Sequence, residues 1–480
     1  MLQFKDSEIF KNISFLEEND AKSICGLVNY LQSIKIDKLL QTPKQAYFSR
    51  SYSFVNLILY YFLGVENTHQ YNISVWSKFI ENGKDLLYRF ASNPSINWRK
   101  VLYSLSKDLI KSIDGDLYDN KNPTCFIIDD TDIEKSGRRI EFIGRVWSHV
   151  VNKYILGFKS LNLCYWNGAT LFALDFSLHR EMGKNKSKPQ GLKKKQIKDR
   201  YSKKRQEKSF GKKRVEELDE SKIDMAINML KTAIKNKITA RYVLIDSWFC
   251  CDKLIKYVSS VLSMDLICRA KMGKAKYCYK GKMLSAKELL KKFQYRQDVR
   301  RYSRKLKTNY ILLKVDFKGT PVKLLLIQTG KNKWILLLTT DRKASAIKII
   351  ETYQIRWSIE IFFKECKQFL GLGKCHANDF DSQISNTTFT FIRYNWLSAV
   401  KSKSENFGIG TLFRAITQSL YNPTIADKLI NLFYKLQTII TDLFQIDVEL
   451  ILSKIMNDDQ ISDVDRNILN YFCSLETCET

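Results

Sequence analysis

The stretch NPTCFIIDDT, residues 122–131, opens with turn-forming residues and continues as an apolar run that ends in two acids. A short apolar run bounded by a turn signal and rich in β-branched and aromatic side chains predicts a buried strand. A second stretch, ARYVLIDSWF at 240–249, repeats the pattern and places Asp246 after its apolar run. Acids that end buried strands lie at the edge where open α/β sheets place their sites. The two stretches therefore predict an α/β fold with carboxylates at one edge of a sheet, although each Asp alone is also explained as a cap of the turn after its strand.

A third acid, Glu360, belongs to YQIRWSIEIFFKECKQFLGL, residues 353–372, whose apolar spacing predicts one amphipathic helix. At a helical angle of about 100° per residue, Tyr353, Arg356, Glu360 and Lys367 form a stripe about 60° wide beside the buried face. One interpretation is an ion-paired helix edge, because Arg356 precedes Glu360 by four residues. The other is a functional stripe in which Glu360 joins the two strand-end acids.

The overall charge indicates a polyanionic partner. The chain has 480 residues, with 79 Lys and Arg against 50 Asp and Glu, a formal net charge of +29. Such an excess favours nucleic acid. No apolar stretch is long enough to span a membrane and the first residues do not resemble a signal peptide, so we expect a cytoplasmic, nucleoid-associated protein that does not bind membranes. The eleven cysteines lack zinc-site spacing and are expected to be free thiols.

The most basic segment is 184–214, which contains fifteen Lys and Arg. It is expected to be a solvated, disordered surface insertion. A solvated cationic loop also attracts the DNA backbone, because binding releases counterions from the phosphates. Lys193, Lys194 and Lys195 are consecutive within it and are our candidate phosphate contacts.

The four polar residues of the stretch 353–372, called here the closing-helix motif, resemble the signature of a known enzyme family. Tyr353, Arg356, Glu360 and Lys367 match the Y-(2)-R-(3)-E-(6)-K pattern of the bacterial cut-and-paste DDE transposases of the insertion-sequence-four family. The resemblance covers roughly residues 120–375.

The two strand-end acids resemble the other acidic motifs of the same family. IIDDTD is similar to the first, in which the catalytic Asp precedes a Thr, and this selects Asp130, with Asp129 as the alternative. VLIDSWF is similar to the second and gives Asp246. Three converging carboxylates, Asp130, Asp246 and Glu360, suit Mg²⁺, for which Mn²⁺ can substitute, because both are hard ions that take oxygen ligands.

The resemblance implies an α/β fold with a ribonuclease-H-like mixed-sheet core, antiparallel strands preceding parallel ones. The expected organisation has four parts. A helical, end-binding region is expected at 1–115 and the core at 116–270 and 335–375. A β-rich insertion is expected at 271–334 and a helical, candidate dimerisation region at 376–480.

The resemblance also implies an activity: two-metal hydrolysis of DNA ends followed by transfer of the 3′-hydroxyl ends to target DNA. The partners would be double-stranded DNA, as terminal inverted repeats and as target, and a second copy of the chain in a homodimeric synapse. Tyr353, Arg356 and Lys367 would hold phosphate oxygens. Trp357 either packs in the core or stacks on a base. Two alternatives remain: a nuclease of the same fold that cuts without joining, and a non-catalytic DNA-binding remnant.

Overall fold

The part of the chain that can be described falls into six ranges. The computed structural model describes residues 36–40, 54, 84–113, 122–183, 185–403 and 408–421. The chain divides into two compact units, Met1–Gln418 and Ser419–Thr480, and the elements below that position the candidate site belong to the first. Much of the predicted helical regions 1–115 and 376–480 lies outside the described residues.

The described strands form one mixed sheet. They are β1 Cys125–Glu134, β2 Gly144–Ser148, β3 Lys153–Trp166, β4 Leu171–His179, β5 Tyr242–Ile245, β6 Asp265–Ala270, β7 Lys276–Tyr279, β8 Lys282–Ser285, β9 Arg300–Ser303, β10 Thr308–Phe317, β11 Thr320–Gly330 and β12 Lys333–Thr339. Their order is β2-β3-β1-β5-β6-β12-β11-β10-β7-β8, with β4 also paired to β3 and β9 to β10.

The first half of this sheet has the predicted ribonuclease-H-like arrangement. β1 and β4 each pair antiparallel with β3, whereas β5 runs parallel to β1 and β6 parallel to β5. A hairpin joins β3 to β4, because β3 ends at Trp166 and β4 begins at Leu171. Antiparallel strands thus precede parallel ones, and the fold class is confirmed as α/β with this core.

The β-rich segment after β6 extends the same sheet. β12 pairs antiparallel with β6, and β11 and β10 follow it outward. The strands β7 to β11 account for the β-rich character predicted for residues 271–334. A single hydrogen-bonded sheet therefore runs from the core into the predicted insertion.

The described helices surround and support the sheet. They are α1 Ile36–Leu39, α2 Lys84–Ala91, α3 Trp98–Ile113, α4 Lys194–Lys198, α5 Phe210–Glu216, α6 Lys222–Lys235, α7 Asp252–Lys256, α8 Ala286–Phe293, α9 Ala346–Gln354, α10 Trp357–Gln368, α11 Phe380–Lys403 and α12 Ile409–Tyr421. Among these described helices, none is long and apolar enough to cross a membrane.

Helix α11 is buried although many of its residues are polar. Several of its polar groups are hydrogen-bonded inside the fold: the Asn395 amide donates to Ser106 of α3 at 2.9 Å and to the Ala173 carbonyl of β4 at 2.8 Å. Arg393 donates to the Leu370 carbonyl at 2.8 Å. Buried polar groups are tolerated when they are hydrogen-bonded, so α11 packs against α3 and β4 despite its weak amphipathicity.

Two predicted element bounds are wrong. β1 does not end at its acids but continues to Glu134, because its pairing with β3 is unbroken through this stretch. The stretch 353–372 is not one helix, since α9 ends at Gln354 and α10 begins at Trp357. At the junction the Arg356 amide bonds to the Tyr353 carbonyl, a bond that spans three residues and tightens the turn.

The prediction that the basic segment is disordered is also wrong. Its described residues include helices α4 and α5, and its arginines are anchored. Arg205 is bound by Glu141 at 2.5 Å and by Asp381 at 3.1 Å, and its side chain is 3% exposed. Arg214 is buried and pairs with Glu217 at 3.1 Å. Sequence charge alone did not reveal the acidic partners of Arg205, which come from distant parts of the chain.

Candidate active site

The register of two parallel strands places Asp129 and Asp246 side by side. Ile128 of β1 is opposite Ile245, the last residue of β5. The residues that follow them, Asp129 and Asp246, are therefore at the same level. Side chains alternate between the two faces of a strand. Asp129 therefore shares a face with Asp246, and Asp130 points to the other face.

Helix α10 brings Glu360 towards Asp129 through a shared guanidinium. Arg356 donates a hydrogen bond from Nη1 to Asp129 Oδ2 at 2.9 Å and another from Nη2 to Glu360 Oε1 at 2.5 Å. The pair with Glu360 is the one that the helical spacing predicted. The pair with Asp129, 227 residues away in sequence, joins α10 to β1.

The electrostatics confirm that these acids are crowded. Burial, reinforced by the negative charge of Asp246, raises the pKa of Asp129 to about 7, while Arg356 opposes the shift. A buried carboxyl beside a like charge is harder to ionise. On this face Asp246 crowds Asp129, and Asp129 and Glu360 share one guanidinium.

Asp246 also has the structural role that its strand-end position predicts. Its Oδ1 accepts hydrogen bonds from the amides of Trp248 at 2.8 Å and Phe249 at 3.2 Å. This Asx-type turn fixes the carboxylate just beyond β5. Capping the turn and facing Asp129 are therefore compatible roles for one side chain.

Asp130 lies in a separate ion pair. Lys222, at the start of α6, donates to its Oδ2 at 2.7 Å. The same ammonium lies 4.1 Å from the ring centre of Trp248, which is 47% exposed. The structure therefore brings Asp129, Asp246 and Glu360 together and places Asp130 against Lys222.

The remaining residues of the closing-helix motif surround this cluster. Tyr353 lies on α9, and burial raises its pKa to about 12. The Arg356 guanidinium lies 5.7 Å from its ring. Lys367 donates to Thr131 Oγ1 at 2.8 Å, and burial lowers the pKa of this lysine. Three polar members of the motif thus contact β1 or each other rather than open solvent.

Trp357 and the lysine run are exposed. Trp357 is 59% exposed at the start of α10, so the core-packing interpretation is wrong for it. Lys193, Lys194 and Lys195 are all exposed at the start of α4. These positions leave each of the four side chains accessible to a bound nucleic acid.

The carboxylates are the right type of ligand for a hard divalent cation, but in this structure they are not close enough together to bind one ion. Carboxylate oxygens are the ligands that Mg²⁺ takes, and the mutual repulsion of Asp129 and Asp246 is what a bound cation would relieve. Within the ranges that the structure describes, however, no three Asp, Glu, His or Cys side chains are close enough to hold one ion. Arg356 instead bridges two of the candidate ligands.

Two features of the site were not predicted from the sequence. Lys222 and Trp248 flank the acids, and nothing in their local sequence indicates a contact across the fold. The choice between Asp129 and Asp130 did have a signal: with a strand running through both, the two-residue period puts them on opposite faces. The partner strand that determines which face matters is visible only in the fold.

Two family models match overlapping parts of the chain. One, described as "Transposase DDE domain", matches residues 192–396, and the other, described as "DDE superfamily endonuclease", matches residues 75–279. The first includes Asp246 and Glu360, and the second includes Asp129. Both matches support a DDE transposase.

Among solved structures, the chain is similar to one in the cryo-EM structure of the piggyBac transposase synaptic complex with hairpin DNA. The sequence identity is 12% and the TM-score is 0.44, over 79% of this chain and 72% of that chain. A likeness this distant says nothing about individual residues. No curated protein matches the sequence.

Proposed function

We propose that this chain is a DDE transposase of the cut-and-paste type, similar to the insertion-sequence-four family, that hydrolyses DNA at the ends of a mobile element and joins the freed 3′-hydroxyl ends to target DNA. The observation that carries the proposal is that Asp129 of β1 lies beside Asp246 at the end of β5 and shares the guanidinium of Arg356 with Glu360 of α10. Asp129 and Asp246 are aligned by strand register, and Arg356 ties Glu360 to Asp129. Acids from distant parts of a sequence gather at such a cost in repulsion mainly where chemistry uses them.

In this proposal Asp129, Asp246 and Glu360 are the ligands of Mg²⁺ or Mn²⁺. The bound ions would activate the attacking water or hydroxyl and stabilise the leaving oxygen of the phosphodiester. The contacts support Asp129 over Asp130, whose Oδ2 already binds Lys222. Arg356 bonds one oxygen of Asp129 and one of Glu360, so a bound metal ion would compete with it for these carboxylates.

A released Arg356 is well placed to bind a phosphate. Its Nε is buried and has no acceptor among the described residues, so it already carries a donor that a phosphate oxygen could satisfy. Tyr353 lies beside it and Lys367 reaches Thr131 of β1, so a hydroxyl and an ammonium are also available, and charge-assisted bonds of this kind position phosphates. Trp357, exposed at the start of the same helix, would stack on an unpaired base.

The wider DNA surface includes Lys193, Lys194 and Lys195. These lysines are exposed on a short helix, and Arg205 and Arg214, farther along the same basic segment, are buried in ion pairs. An anchored basic segment binds phosphates without the ordering cost of a disordered loop. The partners in this proposal are the terminal inverted repeats and target DNA, bound by a homodimer at the nucleoid.

The first test is strand cleavage in Mg²⁺ on duplexes from the DNA that flanks the gene. Wild type is compared with Glu360→Gln and with Glu365→Gln, a matched change on the same helix outside the acidic cluster. We expect a nick at the repeat boundary from wild type and Glu365→Gln only. Adding a target plasmid then tests joining, and cutting without joining would favour the nuclease alternative. Tight binding with no cut by any protein would favour the DNA-binding remnant.

A second test addresses the lysine run. Replacing Lys193–Lys195 by alanine should reduce the salt dependence of DNA binding, by up to about 2.7 in the log–log slope if each lysine neutralises one phosphate. The matched control replaces Lys287, Lys291 and Lys292, three exposed lysines of α8. Equal slopes for the two triple variants would show that total charge, and not this segment, determines the effect.

A further inference from the structure

Two cysteines meet directly beneath the turn that carries Asp246. The Cys250 and Cys268 sulfurs are 3.3 Å apart, and both residues are free thiols. Cys268 is buried in β6, opposite Ile245 of β5, whereas Cys250 is only partly buried in the loop after Asp246. One sulfur of the pair is therefore held in the sheet, and the other is on the segment that leaves it.

The two sulfurs differ in reactivity as well as in position. The hydrogen bond with Cys268 lowers the pKa of Cys250, and burial raises that of Cys268 far above its usual value. A thiolate is the reactive form of cysteine, and partial exposure gives small oxidants access to it. Cys250 thus has the attributes of an attacking thiol, with Cys268 beside it as the resolving thiol.

The pair is next to the candidate active site. Cys250 follows Asp246 by four residues, and the intervening turn is fixed by the hydrogen bonds of Asp246 to Trp248 and Phe249. Cys268 and Asp246 are both among the groups whose charges act on the Tyr353 hydroxyl. A movement of Cys250 is therefore transmitted through a short, ordered turn to one of the three carboxylates.

We propose that Cys250 and Cys268 form a reversible disulfide that locks the Asp246 turn and switches the site off under oxidising conditions. The oxidant is a peroxide. The Cys250 thiolate attacks a peroxide oxygen, the O–O bond breaks, and sulfenic acid forms on Cys250; the leaving hydroxide or alkoxide takes a proton from solvent and departs as water or an alcohol. The Cys268 sulfur then attacks the Cys250 sulfur, the S–O bond breaks, and the hydroxyl leaves with the Cys268 proton as water.

The lock follows from the distance that the sulfurs must travel. A disulfide bond is about 2.05 Å long, so the two sulfurs approach by roughly 1.2 Å. Because Cys268 is fixed in the sheet, the loop carrying Cys250 makes most of this movement. A misplacement of about 1 Å near reacting groups costs about a hundredfold in rate. We expect a loss of this size in cleavage, which a dithiol reverses.

The test uses the full-length protein, reduced and then treated with hydrogen peroxide. Non-reducing peptide mapping should show a Cys250–Cys268 linked peptide in wild type and in Cys251→Ser, a matched change of the adjacent, partly buried thiol. Cys250→Ser and, separately, Cys268→Ala should lack it and keep their activity after peroxide. Absence of this linkage in wild type, or a linkage of Cys250 to another cysteine, would overturn the proposal.

A second readout does not depend on cleavage. Hydrogen exchange in the peptide that contains 246–251 should slow in oxidised wild type and not in oxidised Cys250→Ser. Linkage without slower exchange would reject the lock. The expected loss of cleavage rests on the proposed function, but the linkage and the exchange do not. A protein that forms the linked, protected turn but does not cleave DNA even when reduced would therefore count against the transposase proposal alone.

Discussion

Asp129 and Asp130 are consecutive on β1, yet their side chains lie on opposite faces of the strand and have different charged neighbours. On the first face, Asp129 is crowded by Asp246 and shares Arg356 with Glu360. On the second, Asp130 has Lys222 to itself. The first face carries more carboxylates than cations, and the second is neutralised.

The second face continues this one-to-one pairing. Asp132 is paired with Lys159, directly opposite on β3, and Lys159 is in turn opposite His179 on β4. A face whose charges are balanced within the fold is built for stability. A face with surplus negative charge is unstable by itself and is satisfied by a cation from outside. The comparison thus separates a structural acid from a functional one at adjacent positions.

The largest expected effect is on cleavage. Asp129→Asn should reduce strand cleavage by about a thousandfold, because a lost metal ligand removes several kcal/mol of transition-state stabilisation. Asp130→Asn should change it by less than about tenfold. Rates on the flanking-DNA duplexes, measured for both variants at saturating Mg²⁺, check this. A reversed order would restore Asp130 as the first ligand and break the comparison.

Removing the shared cation should destabilise the first face. Arg356→Gln leaves Asp129 beside Asp246 without a countercharge, and we expect a loss of about 2 kcal/mol in the free energy of unfolding. Urea denaturation without divalent metal is the measurement. Added Mg²⁺ should recover more stability in this variant than in wild type, and a variant as stable as wild type without metal would show that Arg356 is not the countercharge.

The second face should respond to acid through His179. Burial and the nearby charge of Lys222 lower the pKa of His179 from 6.5 to about 4. Because the folded-state value is below the unfolded one, this stability is present above pH 6.5 and is lost as the pH falls towards 4. At pH 5.5 the loss is on the order of 1 kcal/mol. His179→Gln should flatten the stability profile between pH 6.5 and 4, and an unchanged profile would remove His179 as the cause.

The smallest expected effect concerns Lys222. Lys222→Gln breaks a partly exposed pair with Asp130, and such pairs contribute at most about 1 kcal/mol. Unfolding free energy should fall by that amount or less, and cleavage should stay within a few fold of wild type. A large loss of cleavage at unchanged stability would mean that the second face also takes part in catalysis.

Much of the fold follows from local patterns. The apolar runs at β1, β5 and β10–β12 and the periodic stretch at α6 give the strand and helix types directly, because burial imposes their spacing. The bounds were less predictable at β1, where pairing with β3 carries the strand through its own acids. They were also wrong at 353–372, where a tight turn at Arg356 divides the helix.

The candidate site was predictable in its residue types more than in its partners. Arg356 and Glu360 are four residues apart, so their pair follows from helical geometry. The contact of Arg356 with Asp129 depends on how α10 packs against β1, which no local spacing encodes. The same is true of Arg205, whose charge indicated solvent or DNA until Glu141 and Asp381 were found beside it.

The continuity of the sheet limits how this chain can be shortened, in the laboratory or in evolution. β12 is hydrogen-bonded to β6 along four consecutive residue pairs, Leu336–Thr339 against Ile267–Ala270. Excising residues 271–334 would remove β11 and β10 and leave the apolar strand β12 as an open edge of the sheet. Open edges template aggregation. A shortened descendant of this chain would therefore be lost through insolubility, whether or not its active site was intact.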